Sequence, residues 1–216
     1  MPIGKIPKEL LEKYVLKFTG ERSKSVVQGP KFGLDFAVIK LDEEYMIVSS
    51  DPVTGVEKEV GWYAVNVSAN DVATSGSKPM YLESVMLLPQ RSKAEDVISI
   101  SKQIHRAAKA LGISIVGGHT ELTPRLERKI VITTAFTFAK SYVTAADAKE
   151  NDVILMTKTA GIEGTSILAD IFKERLSKLG DKVIMKASRM MRRISVVKEA
   201  IKAFNTGFVH AMHDTT

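Results

Sequence analysis

The chain has 216 residues, 44% of them hydrophobic and 26% charged, which is the composition of a globular protein with ample apolar material for a core. It contains no cysteine, and this excludes disulfides, thiolate metal sites and cysteine nucleophiles. The net charge is +6, but the basic residues are spread along the chain with their densest run at 182–202, which favours solvated helix faces over a nucleic-acid site. Charges interrupt the N-terminal residues and no apolar run reaches the ~20 residues of a membrane span, so we expect a cytoplasmic protein.

The first two thirds of the chain alternate strand and helix patterns. In chain order they predict a short helix at 7–18, strands at 36–41 and 45–50, a buried helix from Val60 to about Gly76, a strand at 80–88, a long helix at 92–111, a short buried strand at 113–116 and a strand at 130–138. Ser92 and Glu95 have capping-box spacing at the start of the long helix. This order predicts an α/β (α+β) fold with helices on one face of a mixed sheet.

The predicted buried helix carries polar residues in a regular pattern. Asn66, Asn70 and Thr74 recur every fourth residue and therefore share one stripe, with Asp71 beside it. An unpaired buried carboxylate is energetically costly, so Asp71 needs a cation, a cluster of donors or water. From this helix alone, the alternative that Asp71 and the asparagines satisfy neighbouring backbone groups stays open.

Carboxylates also stand at the ends of predicted strands. Asp35 opens the first strand of the hairpin and Asp51 closes the second, and in an antiparallel pair these positions fall at the same end. Hard cations such as Mg²⁺ prefer oxygen ligands of this kind. Asp51 precedes a proline, however, and could simply begin a turn.

A second polar group follows the short strand at 113–116, in the sequence Gly117, Gly118, His119, Thr120 and Glu121. A glycine pair lets the backbone approach a phosphate closely, and the threonine can donate a hydrogen bond to it. The simpler alternatives are a tight turn for the glycines and a hydrogen-bonded structural role for His119. The prediction of a site rests on the co-occurrence of these groups with the aspartates.

Small polar residues at 144–151 predict a boundary between a domain at 1–148 and a second domain at 149–216. The second part predicts an apolar run at 153–157, a helix at 166–178 whose N-terminal residues 161–165 could hold an anion, a basic helix at 189–204 and a strand at 208–212 that leads into His213 and Asp214. A domain that ends on a bare strand is expected to be an incomplete α/β domain.

The motifs GLDFAVI, SSDP, NDVATSGSKPMYL, IVGGHTE and HAMHD occur in an order that resembles the AIR synthase-related superfamily over essentially the whole chain. That group includes aminoimidazole-ribonucleotide synthetase, thiamine-monophosphate kinase, selenophosphate synthetase and the hydrogenase-maturation carbamoyl dehydratase. The chain looks most like the hydrogenase-maturation (HypE-like) branch and its archaeal relatives. The resemblance implies a homodimer whose N-terminal domains share a β-barrel, with ATP in a groove between them and Mg²⁺ on its phosphates.

The resemblance also implies roles for individual residues. The implied Mg²⁺ ligands are Asp35, Asp51, Asp71 and, as a substitute, Glu121. The implied nucleotide-binding residues are Asn70, Gly117, Gly118, His119 and Thr120. The candidate catalytic residues are Asp71, His119 and Asp214.

Two departures from the superfamily pattern stand out. Relatives place an acid directly after the glycine pair, where this chain has His119, and Glu121 can replace that acid if the segment is extended and both side chains share a face. The terminal cysteine of the dehydratase and the cysteine or selenocysteine of selenophosphate synthetase have no counterpart here.

Three functions therefore remain in consideration. The first is an ATP- and Mg²⁺-dependent enzyme that activates an oxygen of a small substrate or a carbamoyl group, as hydrogenase-maturation proteins do. The second is a kinase-like transfer to a small phosphorylated metabolite, as in thiamine-monophosphate kinase. The third is a nucleotide-binding dimer or partner protein without turnover of its own.

Overall fold

The structure is a computed structural model that describes residues 4–56 and 58–215. Its main element is a six-stranded mixed sheet. Its strands are β1 (Val26–Gln28), β2 (Ala37–Leu41), β3 (Glu44–Val53), β4 (Tyr81–Pro89), β5 (Ser114–Thr123) and β6 (Ile130–Ala139). The spatial order is β1-β2-β3-β6-β4-β5, in which β4 and β5 are parallel and the other neighbours are antiparallel. The mixed sheet predicted from the sequence is confirmed.

In the described part of the chain, six α-helices accompany the sheet: α1 (Lys8–Tyr14), α2 (Val60–Ala73), α3 (Ala94–Leu111), α4 (Ile162–Ile171), α5 (Asp181–Ser188) and α6 (Val197–Phe204). Short 3₁₀ turns lie at Ala145–Asp147, Ser177–Leu179 and Arg189–Arg193. Over the described ranges, none of the helices has the length and apolar character needed to cross a membrane.

Helix α2 lies on one face of the sheet and is buried along nearly its whole length, as its sequence predicted. Thr133 of β6 donates a hydrogen bond of 2.6 Å to the carbonyl oxygen of Ala64, and its hydroxyl lies 2.8 Å from that of Ser68. Gly61 allows α3 to pack closely on the outer side of α2, because a Cβ at Gly61 would lie 2.8 Å from the side chain of Ile104. The hydrophobic core therefore lies between the sheet and these two helices.

The opposite face of the sheet is open. Because Thr133 faces α2, the alternation of β6 directs Phe136 and Phe138 to the other face, where both rings contact Tyr81 of β4 at centroid distances of 5.3 and 6.3 Å. The accessible surface of the chain is 14165 Å². A compact monomer of this mass would expose about 9,800 Å², so the chain exposes surface that a compact monomer would bury.

The glycine pair lies inside β5, and nearly all residues of this edge strand are exposed. The prediction of a short buried strand at 113–116 that ends before the glycines is therefore wrong, because an edge strand has a neighbour on one side only. A bulge shifts the register between β4 and β5 after Leu82. Gly118 has a φ of +149°, and a Cβ there would lie 1.9 Å from the carbonyl oxygen of Ser84. Gly118 is thus required by the close approach of two strands.

The cap of α3 also differs from the prediction. The Asp96 carboxylate accepts a hydrogen bond of 2.9 Å from the backbone N–H of Lys93, so the capping interaction lies one residue later than the predicted Ser92–Glu95 pair. The sequence identified the helix correctly, but two acidic residues in succession offered two possible registers for its cap.

The elements after residue 148 differ most from the sequence prediction. Helix α4 begins and ends earlier than 166–178, α5 was not predicted, and the predicted helix at 189–204 is broken into a 3₁₀ turn and α6. The break has a tertiary cause, since Asn70 of α2 binds the backbone of Ile194 and Val196. The predicted strand at 208–212 is irregular in the structure, and Phe208 is 88% exposed. An isolated strand without a neighbour is not stable in water, which explains this correction.

A buried hydrogen bond joins α2 to α4. The hydroxyl of Tyr63 lies 2.5 Å from that of Ser166, and both side chains are buried. The Ser166 hydroxyl is also within hydrogen-bond distance of the carbonyl oxygens of Ile162 and Glu163, so it donates to its own helix and accepts from Tyr63. Burial is the main reason that the pKa of Tyr63 is raised from 10.0 to about 12.

We expect this tyrosine to make the stability of the protein depend on alkaline pH. Because the folded-state pKa exceeds the unfolded value, the neutral phenol contributes its full stability below pH 10, and this contribution falls as the pH rises from 10 to about 12. Tyr63→Phe should lower the free energy of unfolding at neutral pH by about 1 kcal/mol and flatten its decline in this window. Urea unfolding at a series of pH values measures both effects. An unchanged alkaline decline in Tyr63→Phe would contradict this assignment.

Candidate metal and nucleotide site

Four aspartates from distant parts of the chain meet beside the C-terminal half of α2. Asp71 of α2 and Asp51 of β3 are hydrogen-bonded through their side chains. Asp35, which precedes β2, interacts with Asp214 near the end of the chain, and the charge of Asp214 in turn acts on Asp71. The side chains of Asp35 and Asp214 are only 6% and 5% exposed. The convergence of the first three carboxylates, anticipated from the sequence, is therefore present in the structure.

Hydroxyl groups hold these carboxylates in place. Ser49 of β3 donates a hydrogen bond of 2.7 Å to Asp71, and Thr74 at the end of α2 donates one of 3.1 Å to Asp35. Thr74 belongs to the polar stripe recognised in the sequence, so the C-terminal end of the stripe faces the site. Asn66, its first member, instead donates to the carbonyl oxygen of Trp62, which is the structural alternative considered for the asparagines.

The crowding of negative charge raises the pKa of several members of the site. Burial, followed by the hydrogen bond and charge of Asp51 and the charge of Asp214, raises the pKa of Asp71 to about 10. Burial and the neighbouring Asp35 raise the pKa of Asp214 to about 6. Burial also raises the pKa of Asp35, an effect that His213 and Thr74 oppose. At neutral pH the site therefore retains a proton unless a cation takes its place.

The residues present fit Mg²⁺ in the chemistry of their donors. The carboxylates of Asp51 and Asp214, from two other segments, are the acidic neighbours of Asp71. Mg²⁺ is usually bound by one or two carboxylates, substrate phosphates and water. Asp71 is hydrogen-bonded to Asp51, and a divalent cation at this point would neutralise both carboxylates. The role of Asp35, Asp51 and Asp71 as Mg²⁺ ligands stays a prediction.

Asn70 uses both ends of its buried amide on the backbone. Its Nδ2 donates to Ile194 at 3.0 Å, and its Oδ1 accepts from the N–H of Val196 at 2.8 Å. Through these contacts Asn70 holds the segment before α6 in position, which is a structural role. Its predicted position near phosphates is not visible from these contacts and stays a prediction.

The group in β5 lies apart from the aspartates. The register places Asp51, Thr133, Ser84 and Gly118 in one row across four strands, so Asp51 and Gly118 are about 14 Å apart at ~4.8 Å per strand. His119 Nε2 and Glu121 Oε2 are 3.1 Å apart and exposed, which confirms that both side chains share a face of an extended segment. The alternation of β5 puts them on the open face of the sheet, opposite α2.

Comparison with known proteins identifies the fold around this site. Residues 33–139 match the family model of the AIR synthase related protein, N-terminal domain. Residues 33–139 therefore belong to the AIR synthase-related superfamily. The matched residues include Asp35, Asp51, Asp71 and the glycine pair of β5, whereas Asp214 lies outside them.

Individual relatives agree with this assignment. A Methanocaldococcus jannaschii protein named for hydrogenase expression and formation is 24% identical over 172 residues, 76% of this chain and 51% of that protein. The carbamoyl dehydratase HypE of Cupriavidus necator is 30% identical over 115 residues, 51% of this chain and 33% of HypE. The solved structure of AaThiL complexed with AMPPCP and TMP shares the fold, with a TM-score of 0.68 at 20% identity over 93% of this chain and 66% of that one. The chain thus spans about a third to a half of the length of these curated relatives.

Two further charged residues near the aspartates were not identified from the sequence. Glu163, in the first turn of α4, is close enough to Asp51 for that charge to raise its pKa, although burial is the larger cause. Lys5 lowers the pKa values of Glu163, Asp35 and Asp214 through its positive charge. The sequence suggested an external anion at the start of this helix, and the structure places the chain's own carboxylate there. The glycines on either side of Glu163 were the feature of the sequence from which it could have been identified.

We expect Mg²⁺ to stabilise the protein through this site. At a Mg²⁺ concentration about 100 times the Kd, linkage predicts about 2.7 kcal/mol, or a rise of about 5–10 °C in Tm. Asp71→Asn should keep the metal-free Tm, because its amide can donate to Asp51 as the protonated carboxyl does, and should lose most of the rise. Differential scanning calorimetry with and without Mg²⁺ measures both quantities.

The matched control is Asp42→Asn, which makes the same change at an exposed turn residue with a left-handed backbone. It should retain the full rise in Tm. A wild-type Tm that does not respond to Mg²⁺, or an equal response in Asp71→Asn, would show that these aspartates do not bind the ion.

Proposed function

We propose that the chain binds ATP together with Mg²⁺ at the aspartate site and activates an oxygen of a small substrate or a carbamoyl group by phosphorylation. The observation that carries this proposal is the convergence of Asp35, Asp51, Asp71 and Asp214, which come from four separate segments and are held by hydroxyl donors. The superfamily membership of residues 33–139 supports it. The similarity to hydrogenase-maturation relatives supports an activity of that branch.

The physical chemistry of phosphoryl transfer agrees with such a site. The transition state spreads charge over phosphate oxygens, so catalysis consists mainly of positioning and charge neutralisation. Mg²⁺, when bound, would neutralise the phosphates and allow a triphosphate to approach a group of carboxylates that would otherwise repel it. In this proposal Asp35, Asp51 and Asp71 hold the ion, while Asp71, His119 and Asp214 remain the candidates for direct catalytic contact.

The second candidate is a kinase-like transfer to a small phosphorylated metabolite. It is supported by the fold shared with AaThiL, whose structure contains AMPPCP and TMP and overlaps 93% of this chain. The identity of 20% supports the fold alone, so the acceptor has to be found by experiment. The third candidate, a nucleotide-binding dimer without turnover, is favoured by His119, which stands where relatives of the superfamily have an acid.

A homodimer would reconcile the two separated parts of the site. Within one subunit, β6 and β4 separate the aspartate of β3 from His119 and Glu121 of β5. We propose that the open sheet faces of two subunits pack together as a shared barrel, which would bring the β5 group of each subunit to the nucleotide groove.

We also propose the domain boundary near residue 148 and a cytoplasmic location, both from the sequence.

ATP binding and ATP turnover should separate in one set of measurements. With Mg²⁺ present, the wild type is expected to bind ATP, and Asp71→Asn to bind it at least about tenfold more weakly, because one ligand of the bridging ion is lost. Calorimetric titration gives the affinity, and a coupled assay gives ADP release over a panel of carbamoyl, amide and phosphorylated acceptors.

Asp42→Asn again serves as the control and should match the wild type in both assays. ADP release with one class of acceptor identifies an enzyme that acts on that class. Tight Mg²⁺-dependent binding without ADP release supports the third candidate, a nucleotide-binding dimer without turnover. ATP affinity that responds neither to Mg²⁺ nor to Asp71→Asn would refute the proposed function.

The dimer makes a separate prediction. Sedimentation at micromolar concentration should show a species of twice 23.7 kDa. Phe138→Glu puts a charge on the open sheet face and should shift the protein to the monomer, because burial of an unpaired carboxylate is costly. Phe208→Glu, at a residue 88% exposed and outside the sheet, is the control and should remain dimeric. A wild-type monomer at this concentration would exclude the shared barrel.

A further inference from the structure

The 3₁₀ turn at Arg189–Arg193 carries two arginines on the same side. Side chains three residues apart eclipse each other in a 3₁₀ helix, so Arg189 and Arg192 point in one direction, and both are exposed. In the part of the chain that the structure describes, neither guanidinium has an ion pair or a hydrogen-bond partner. Like charges on one face of a helix repel each other, and an anion between them would remove this repulsion.

The turn lies in the most basic part of the chain. Residues 171–198 contain nine Lys or Arg and two Asp or Glu, a net charge of +7, whereas the whole chain has +6. Two acidic side chains of the adjoining helices are already engaged. Asp170 of α4 accepts a hydrogen bond of 2.6 Å from Ser188, and Glu199 of α6 pairs with Lys158 at 3.2 Å. An external anion would therefore balance the charge of the turn.

Side chains from other segments hold the backbone of the turn. Trp62 Nε1 donates a hydrogen bond of 3.1 Å to the carbonyl oxygen of Met191, and Lys158 Nζ donates one of 3.0 Å to that of Arg193. Asn70 binds the backbone that follows directly. Because the backbone is fixed, only side-chain freedom is lost when the two arginines close on a ligand. We call Arg189 and Arg192 the arginine clamp.

The same contacts give the distance between the turn and the aspartate site. Trp62 and Asn70 hold the two ends of the segment 191–196, and they are eight residues apart on α2, a span of about 12 Å. Asp71 follows Asn70 directly. A separation of this size exceeds the screening length of about 8 Å at physiological ionic strength, so the carboxylates repel an anion at the clamp only weakly.

We propose that the arginine clamp binds an oxyanion, and that this group is a phosphate of the acceptor substrate. Guanidinium groups bind phosphate through pairs of parallel hydrogen bonds, and two of them on one side of a fixed turn match a phosphate dianion. The inference rests on the proposed function for the other end of the acceptor, whose reacting oxygen would lie at the aspartate site. An acceptor that spans about 12 Å and ends in a phosphate is a small phosphorylated metabolite, which favours the second candidate function.

The test measures the binding of inorganic phosphate to the full chain. Nucleotide is omitted and a chelator is present, so that no metal ion links phosphate to the aspartates. Phosphorus NMR and calorimetric titration give the affinity. Arg189→Gln and Arg192→Gln should each weaken binding by about tenfold, because each removes a charge-assisted pair of hydrogen bonds. Arg192→Lys should fall between Arg192→Gln and the wild type, since lysine keeps the charge without the planar fork.

Arg175→Gln is the matched control. Arg175 is exposed in the same basic part of the chain, but its guanidinium lies over the ring of Phe172, 5.5 Å from the centroid. The change removes the same charge as the clamp variants and should leave phosphate affinity at the wild-type value. Thermal melts of all variants should match that of the wild type, because the substituted side chains are exposed.

Absence of phosphate binding by the wild type would overturn the inference. An equal loss in Arg175→Gln would also overturn it, because net charge rather than the clamp would then hold the anion. Saturation with Mg²⁺ and a non-hydrolysable ATP analogue should leave phosphate binding intact, and displacement of phosphate would assign the arginines to the nucleotide instead of the acceptor.

A parallel titration with ATP and Mg²⁺ keeps the two proposals distinct. Protein that binds phosphate through the clamp but does not bind ATP would refute the proposed function and leave the phosphate site in place. Protein that binds ATP with Mg²⁺ but no phosphate would refute the clamp alone.

Discussion

The structure depends on the burial of carboxylates beneath a helix that is itself buried. Asp71 is 4% exposed, lies between α2 and β3, and contacts Asp51 and Ser49 directly. Burial of charge in this position opposes folding unless a proton or a cation compensates it. The same cost of burying charge is the main reason that the pKa of Asp71 is raised. A site of this kind is not required for a stable core, and this is one reason why we propose that it binds a cation.

The fold supplies the rigid support that such a device needs. Apolar residues around nearly the whole circumference of α2 fix the helix between the sheet and α3, and this positions Asp71 and Thr74 against β3 and Asp35. The segment before α6 closes the same region through its bonds to Asn70, so residues far apart in sequence share one structural unit. Ile194, Val197 and Ala200 join the main hydrophobic core as a result.

The sequence alone identified the parts of this arrangement that depend on local patterns. The apolar periodicity of α2 predicted a buried helix, and the regular spacing of its polar residues placed Thr74 and Asp71 on one side of it. The contribution of Glu163 could not be predicted, because it depends on where α4 packs relative to β3. The break before α6 likewise depends on Asn70, a residue more than a hundred positions earlier in the chain. The strand predicted at 208–212 is wrong because strand formation requires neighbours, and the sequence pattern does not show whether they are present.

The central claim is that acidic side chains from distant segments gather around a divalent cation and the phosphates of a nucleotide. A crystal structure of the chain with Mn²⁺ and a non-hydrolysable ATP analogue tests it most directly, because anomalous scattering locates the ion independently of the protein density. The account predicts an ion bound by carboxylate oxygens of Asp35, Asp51 or Asp71, with the triphosphate on its other side. An ion and nucleotide bound elsewhere, with these aspartates still hydrogen-bonded to one another, would contradict it.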